Sequence, residues 1–117
     1  VDVTHGRTPD SSKDEAFVLG GGPAVGIGPN MARWMVRRML DTAAAEEIAV
    51  QKEIMERSSG TNGWGMQICN EGVATAVLSI PLKYMHTPVE TLNKNDIEST
   101  ARLLAAFAAG LREEDAQ

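Results

Sequence analysis

A chain of 117 residues, 43% hydrophobic and 23% charged, has the size and composition of one soluble globular domain with a single core. Its 11 Lys and Arg against 16 Asp and Glu leave a formal charge of -5, with the basic residues scattered, so nothing resembles a stripe for tracking a phosphate backbone and no nucleic-acid partner is expected. The longest apolar runs, near 73–82 and 103–109, fall well short of the ~18–20 residues a bilayer-spanning helix needs, and the lone Cys69 favours a reducing, cytoplasmic setting with no membrane partner.

Val1-Asp2-Val3-Thr4 opens without an initiator Met, as if in mid-strand, and its β-branched residues predict a short strand. Residues 6–15, with Pro9 and two serines, read as a loop. Phe17-Val18-Leu19, the glycines at 20–22 and the stretch 23–28 predict a hairpin, or two strands joined by a tight glycine turn. From Met31 to about Ile48 the apolar Met35, Val36, Met39, Leu40 and Ala43 recur at helical spacing opposite Arg33, Arg37, Arg38 and Asp41, with Asn30 as the N-cap. Residues 50–57 fit a partly exposed strand, 58–63 a loop, and 64–71 a short helix closed by Gly72. Residues 73–80 are nearly all apolar, as in a central strand covered on both faces, and Pro81 is expected to stop it. The last helix starts near Asn93, a capping side chain, with Ile97, Ala101, Leu104, Ala108 and Leu111 as its apolar stripe and a frayed tail over 112–117. This alternation predicts crossover units on a largely parallel sheet, an α/β layered domain without internal repeats.

Few motifs carry chemistry by themselves. Gly26-Ile27-Gly28 has Met31 where a dinucleotide fingerprint needs its third glycine, so tight turns account for it. His86 lies directly beyond the carboxyl end of the most buried-looking strand, where ligands collect in open α/β sheets, yet a lone histidine beside prolines is as readily a hydrogen-bonded surface residue. Asp2 is similarly ambiguous: a carboxylate in a β-branched strand is costly to bury without a partner, and a metal ion is one partner among several. Cys69 and the methionines fit core positions, and His5 is either an outer partner of a site or simply exposed. With two histidines 81 positions apart (86 minus 5), no complete zinc site is expected within this chain.

Recognition comes from longer stretches. Ile80-Pro81-Leu82-Lys83-Tyr84-Met85-His86-Thr87-Pro88-Val89-Glu90 resembles the C-terminal signature of the glutamyl and TET-type dinuclear metallo-aminopeptidases, whose members are often labelled cellulase M or endoglucanase. Val1-Asp2-Val3-Thr4-His5, Gly22-Pro23-Ala24-Val25-Gly26-Ile27-Gly28-Pro29-Asn30 and Ser59-Gly60-Thr61-Asn62 follow that family's order, so the resemblance covers residues 1 to about 111. It implies that 1–117 is the C-terminal part of a catalytic domain, a three-layer α/β/α fold with a mostly parallel mixed sheet, phosphorylase/peptidase-like. It further implies two co-catalytic divalent ions, Zn or Co, with Asp2 a terminal ligand of one and His86 of the other. Tyr84 and Met85 are implied as substrate-pocket residues, and Asn62 stands near the site where many relatives carry Asp. The family's other histidine, bridging aspartate and paired glutamates find no match here, so the chain alone is expected to be inactive, with peptides, the remainder of the catalytic domain and a homo-oligomer as partners. Two other readings compete: a noncatalytic structural or interaction module, and a glycoside hydrolase, which needs two carboxyl groups about 5–9.5 Å apart flanking a sugar cleft. The peptidase reading requires Asp2 and His86 to open on a common cavity.

Overall fold

The computed structural model describes residues 1–8, 16–29, 31–54 and 73–112. In chain order these form β1 (Asp2–His5), β2 (Ala24–Ile27), α1 (Arg33–Ala45), β3 (Gln51–Ile54), β4 (Leu78–Lys83), β5 (Thr91–Leu92) and α2 (Lys94–Ala109). The strands make one sheet in the order β1-β4-β2-β3, with β5 also paired to β4. The β1–β4 and β2–β3 ladders are parallel, whereas β2–β4 and β4–β5 are antiparallel, so the sheet is mixed. The α/β class read from the sequence is what the molecule adopts. The expected loop at 58–63, with Asn62, and the helix at 64–71 lie outside the described residues.

One core joins the sheet to both helices. Val25, Val77 and Leu78 from the sheet side pack with Val36, Met39 and Ala43 of α1 and with Leu103 and Phe107 of α2. Strand alternation assigns the opposite face, because residues two apart share a side. The register sets Asp2 and Thr4 beside Ser79 and Pro81, Ser79 beside Ala24, and Gly26 beside Glu53, all on the face away from Val25 and Leu78. That second face is built from small and polar residues.

Several expectations need correction, each for a physical reason. No hairpin forms around the glycines: Phe17 makes only an isolated bridge to Gly6, and a turn from Val18 to Gly21 leads into β2, which pairs with β3 and β4 instead. Gly20 and Gly22 supply left-handed φ of 86° and 92°, and a Cβ on Gly22 would stand 1.9 Å from the Ala49 carbonyl oxygen. Helix α1 does not start at Asn30. Its N-cap is Ala32, held extended at ψ 116 with its N–H on the Thr75 carbonyl, and no side chain caps it. Nor does it reach Ile48: Glu47 turns left-handed at φ 56 while Glu47 N–H reaches Ala44 O and Ile48 N–H reaches Ala43 O, the paired bonds of a Schellman ending.

Strand β4 begins at Leu78 and runs through Pro81 to Lys83. The Leu82 carbonyl accepts from Gly6 on the β1 side, so by alternation the Pro81 nitrogen faces the other edge. There it falls between the Leu78–Ser79 contacts of β2 and the Leu82–Lys83 contacts of β5, where no ladder bond is lost. Asn93 does cap α2, accepting from Asn95 N–H at 2.8 Å. The buried face of α2, however, is Asp96, Thr100, Leu103 and Phe107, while Ile97, Ala101, Leu104, Ala108 and Leu111 are exposed. The helix is rotated by one residue from the expected stripe because Asp96 is drawn inward, its carboxylate accepting from Gly20 N–H at 2.8 Å and Gly22 N–H at 2.9 Å.

Candidate functional site

Two groups of polar residues stand out, one on the sheet and one beyond it. On the polar face, the Thr4 hydroxyl of β1 donates to Glu53 Oε1 of β3 at 2.9 Å. β4 and β2 lie between those strands in the sheet order, and three flat strand spacings would hold β1 and β3 about 14 Å apart. The contact therefore requires the sheet to curl toward this face, over Ala24, Gly26 and Ser79, whose small side chains leave room. Thr4 and Ser79 are buried, and Glu53 Oε2 is a buried oxygen without a hydrogen-bond partner among the described residues. Asp2 shares this face, two residues before Thr4, half-buried, with Oδ1 accepting from the adjacent Val3 N–H at 2.8 Å.

The second group is the return from β4 to β5. Tyr84 and His86 are exposed and Met85 half-buried, and Tyr84 and His86 both adopt left-handed backbone, φ 59° and 63°. The His86 N–H donates to Glu90 Oε1 at 2.9 Å, and the Thr87 hydroxyl donates to the Tyr84 carbonyl at 2.6 Å. Thr87 and Glu90 stand in the signature that carries the resemblance, but neither is given a role by the sequence. The signal that was available is the four-residue spacing of Glu90 from His86 across Thr87-Pro88, which suits a loop closed by a side chain.

The structure gathers Tyr84, Met85 and His86 into one loop and leaves Asp2 apart from them. Asp2 opens β1 level with Ser79, and from there β4 runs four residues to Lys83, about 13 Å at the usual strand rise, before the turn that carries His86. The donor types, carboxylate and imidazole, suit zinc or cobalt, but no group of three His, Cys, Asp or Glu among the described residues is placed to hold an ion. An open groove of about 690 Å³ lies elsewhere, against α1, lined by Ile27, Met31, Val36 and Leu40 with Arg33 and Arg37, and neither Asp2 nor His86 borders it. No helix among the described residues is long and apolar enough to cross a membrane.

A mixed sheet with helices on it and a polar face carrying acidic side chains defines an α/β protein. Comparison with known proteins gives the family: residues 1–103 match the model of the M42 glutamyl aminopeptidases, and the chain belongs to that family. A lysyl aminopeptidase of Pyrococcus furiosus is 38% identical over 115 residues, 98% of this chain and 33% of its own length. An aminopeptidase of Desulfurococcus kamchatkensis superposes with a TM-score of 0.86 at 29% identity, over 98% of this chain and 34% of that one. The TET1 peptidase of Pyrococcus horikoshii, described as assembling into a tetrahedron or a large octahedral shell, superposes at 0.68 with 28% identity over 94% of this chain and 32% of that one. The chain spans about a third of the length of the relatives it matches.

Proposed function

We propose that this chain is the part of an M42-family aminopeptidase catalytic domain that contributes Asp2 and His86 as terminal ligands of two divalent ions, Zn or Co, and that in the assembled enzyme it serves to remove N-terminal residues from peptides. The observation that carries the reading is likeness to a lysyl aminopeptidase over 98% of the chain, a length that takes in both proposed ligands. The geometry agrees in kind: an acidic side chain lies on a curled polar face, and an imidazole sits on a loop held in a costly conformation, as functional loops often are. When bound, such an ion pair polarises the scissile carbonyl and acidifies water. The chain's own part is to supply the Asp2 carboxylate and the His86 imidazole and to border the substrate with Tyr84 and Met85.

The remaining ligands and the general base are assigned to the remainder of the catalytic domain, the principal partner of this chain, and a cytoplasmic homo-oligomer is the expected working form. The purified chain with added Zn²⁺ or Co²⁺ should give no turnover of aminoacyl chromogenic substrates above buffer. Supplied as one polypeptide with the remainder of an M42 catalytic domain, it should turn over, and His86→Ala in that protein should reduce kcat/KM by on the order of a hundredfold or more. Activity of the joined protein on cellulose but not on peptides, or full activity with His86→Ala, would overturn the reading.

A further inference from the structure

Strand β4 ends at Lys83 and β5 begins at Thr91, so seven residues make the return. Two of the first three, Tyr84 and His86, sit in the left-handed region. That region crowds Cβ against the carbonyl oxygen, is tolerated by histidine better than by a bulky aromatic, and persists only where surrounding bonds over-determine it. Those bonds are present. The Thr87 N–H reaches the Tyr84 carbonyl at 3.2 Å, and the Thr87 hydroxyl donates to the same oxygen at 2.6 Å with the Val89 carbonyl at 3.1 Å as its alternative acceptor. The His86 N–H takes a different route, donating to Glu90 Oε1 at 2.9 Å.

Glu90 is the last residue before β5, whose Thr91 and Leu92 pair with Lys83 and Leu82. Its backbone is therefore tied to the sheet just where the loop leaves it, and its carboxylate reaches across the loop to one of the two left-handed residues. A charged acceptor makes roughly twice as strong a hydrogen bond as a neutral one. We infer that Glu90 is a positioning residue for His86: by holding the His86 N–H it selects the left-handed backbone that carries the imidazole. The inference rests on the reading of His86 as a metal ligand for its purpose, but the backbone effect stands on geometry alone. Freed of Glu90, His86 returns to an ordinary backbone region, its Cβ direction changes, and a ligand oriented through its backbone loses the orientation.

The test uses isotope-labelled full chain, unaltered and with Glu90→Ala or Glu90→Gln. NMR reports two things in each: the backbone chemical shifts and couplings that mark left-handed φ at His86 in the chain alone, and the response of the His86 ring resonances to titrated Zn²⁺ in the chain joined to the remainder of an M42 catalytic domain. Unchanged resonances of buried Leu103 and Phe107 establish that the variants fold. Glu90→Ala should lose the left-handed signature and weaken the Zn²⁺ response of the ring by on the order of tenfold, the scale seen when partners that orient a ligand are removed. Glu90→Gln keeps an acceptor oxygen and should restore most of both. A left-handed signature that survives Glu90→Ala, or a Glu90→Gln variant no better than Glu90→Ala, overturns the inference. A ring that ignores Zn²⁺ in the unaltered joined protein while the backbone signature follows Glu90 sinks the ligand reading and upholds the role of Glu90 in setting the loop.

Discussion

A carboxylate that is 1% exposed carries a desolvation cost of several kcal/mol, and Asp96 offsets it with the N–H groups of Gly20 and Gly22. Those donors come from residues 76 and 74 positions away, which is why the clasp was invisible in the sequence: nothing local to Asp96 marks it as other than a first-turn helix residue. Replacing Asp96 with Ala strands two amide donors, one of them in a buried bond, so Asp96→Ala should cost about 3 kcal/mol, seen as a lower urea midpoint at unchanged slope, with Asp96→Asn losing roughly half as much. A loss below about 0.5 kcal/mol for Asp96→Ala would show that water reaches the glycine loop. Thr4 makes the same point on the other face. Its hydroxyl reaches Glu53 only because the sheet curls, and a strand pattern alone reports which face a residue takes but not how near the far strand comes.

Helix existence was legible because Met35, Val36 and Met39 in α1, and the run from Asn93 onward in α2, repeat at 3.6 residues and because Asn93 is a capping type. Which face of α2 turns inward was not, since Ile97, Leu104 and Leu111 make as regular a stripe as Asp96, Thr100, Leu103 and Phe107. The choice is made outside the helix, by the glycine amides that take Asp96 and by the core that takes Phe107. The two leucines at 103 and 104 separate the faces experimentally. Leu103 is fully buried, so Leu103→Ala should cost about 3 kcal/mol, whereas Leu104→Ala, at 42% exposure, should change stability by no more than about 0.5 kcal/mol. Equal losses in thermal melts would contradict the observed rotation of the helix. The end of α1 offers a converse test. Glu47 occupies the left-handed position of a Schellman ending that glycine prefers, and Glu47→Gly should be neutral or stabilise by up to about 1 kcal/mol, where an interior helix glycine would destabilise.

At the scale of the whole molecule, the proposed ligands are held unequally. His86 follows β4, which is paired with β1 on one side and with β2 and β5 on the other. Asp2 is in β1, which lies at an edge of the sheet among the described residues, with one parallel ladder of four residues and with Val3 and His5 exposed. Alternate N–H groups of such an edge strand face away from its neighbour, and a four-residue ladder with only Thr4 buried is drawn from the low end of local stability. Amide hydrogen exchange on the isolated chain should therefore show β4 and β2 exchanging slowest and the two edge strands, β1 and β3, exchanging first among the long strands. A proposed metal ligand carried on a fraying edge is not preorganised, which gives a physical cause, separate from the ligands proposed for the remainder of the catalytic domain, for expecting the isolated chain to be silent. Joining the chain to the remainder of the catalytic domain should raise protection in β1 more than in β4, and Zn²⁺ should raise it further only in the joined protein. If β1 of the isolated chain is already as protected as β4, its edge is not the weak point, and any inactivity would have to be traced to the ligands proposed for the remainder of the catalytic domain alone.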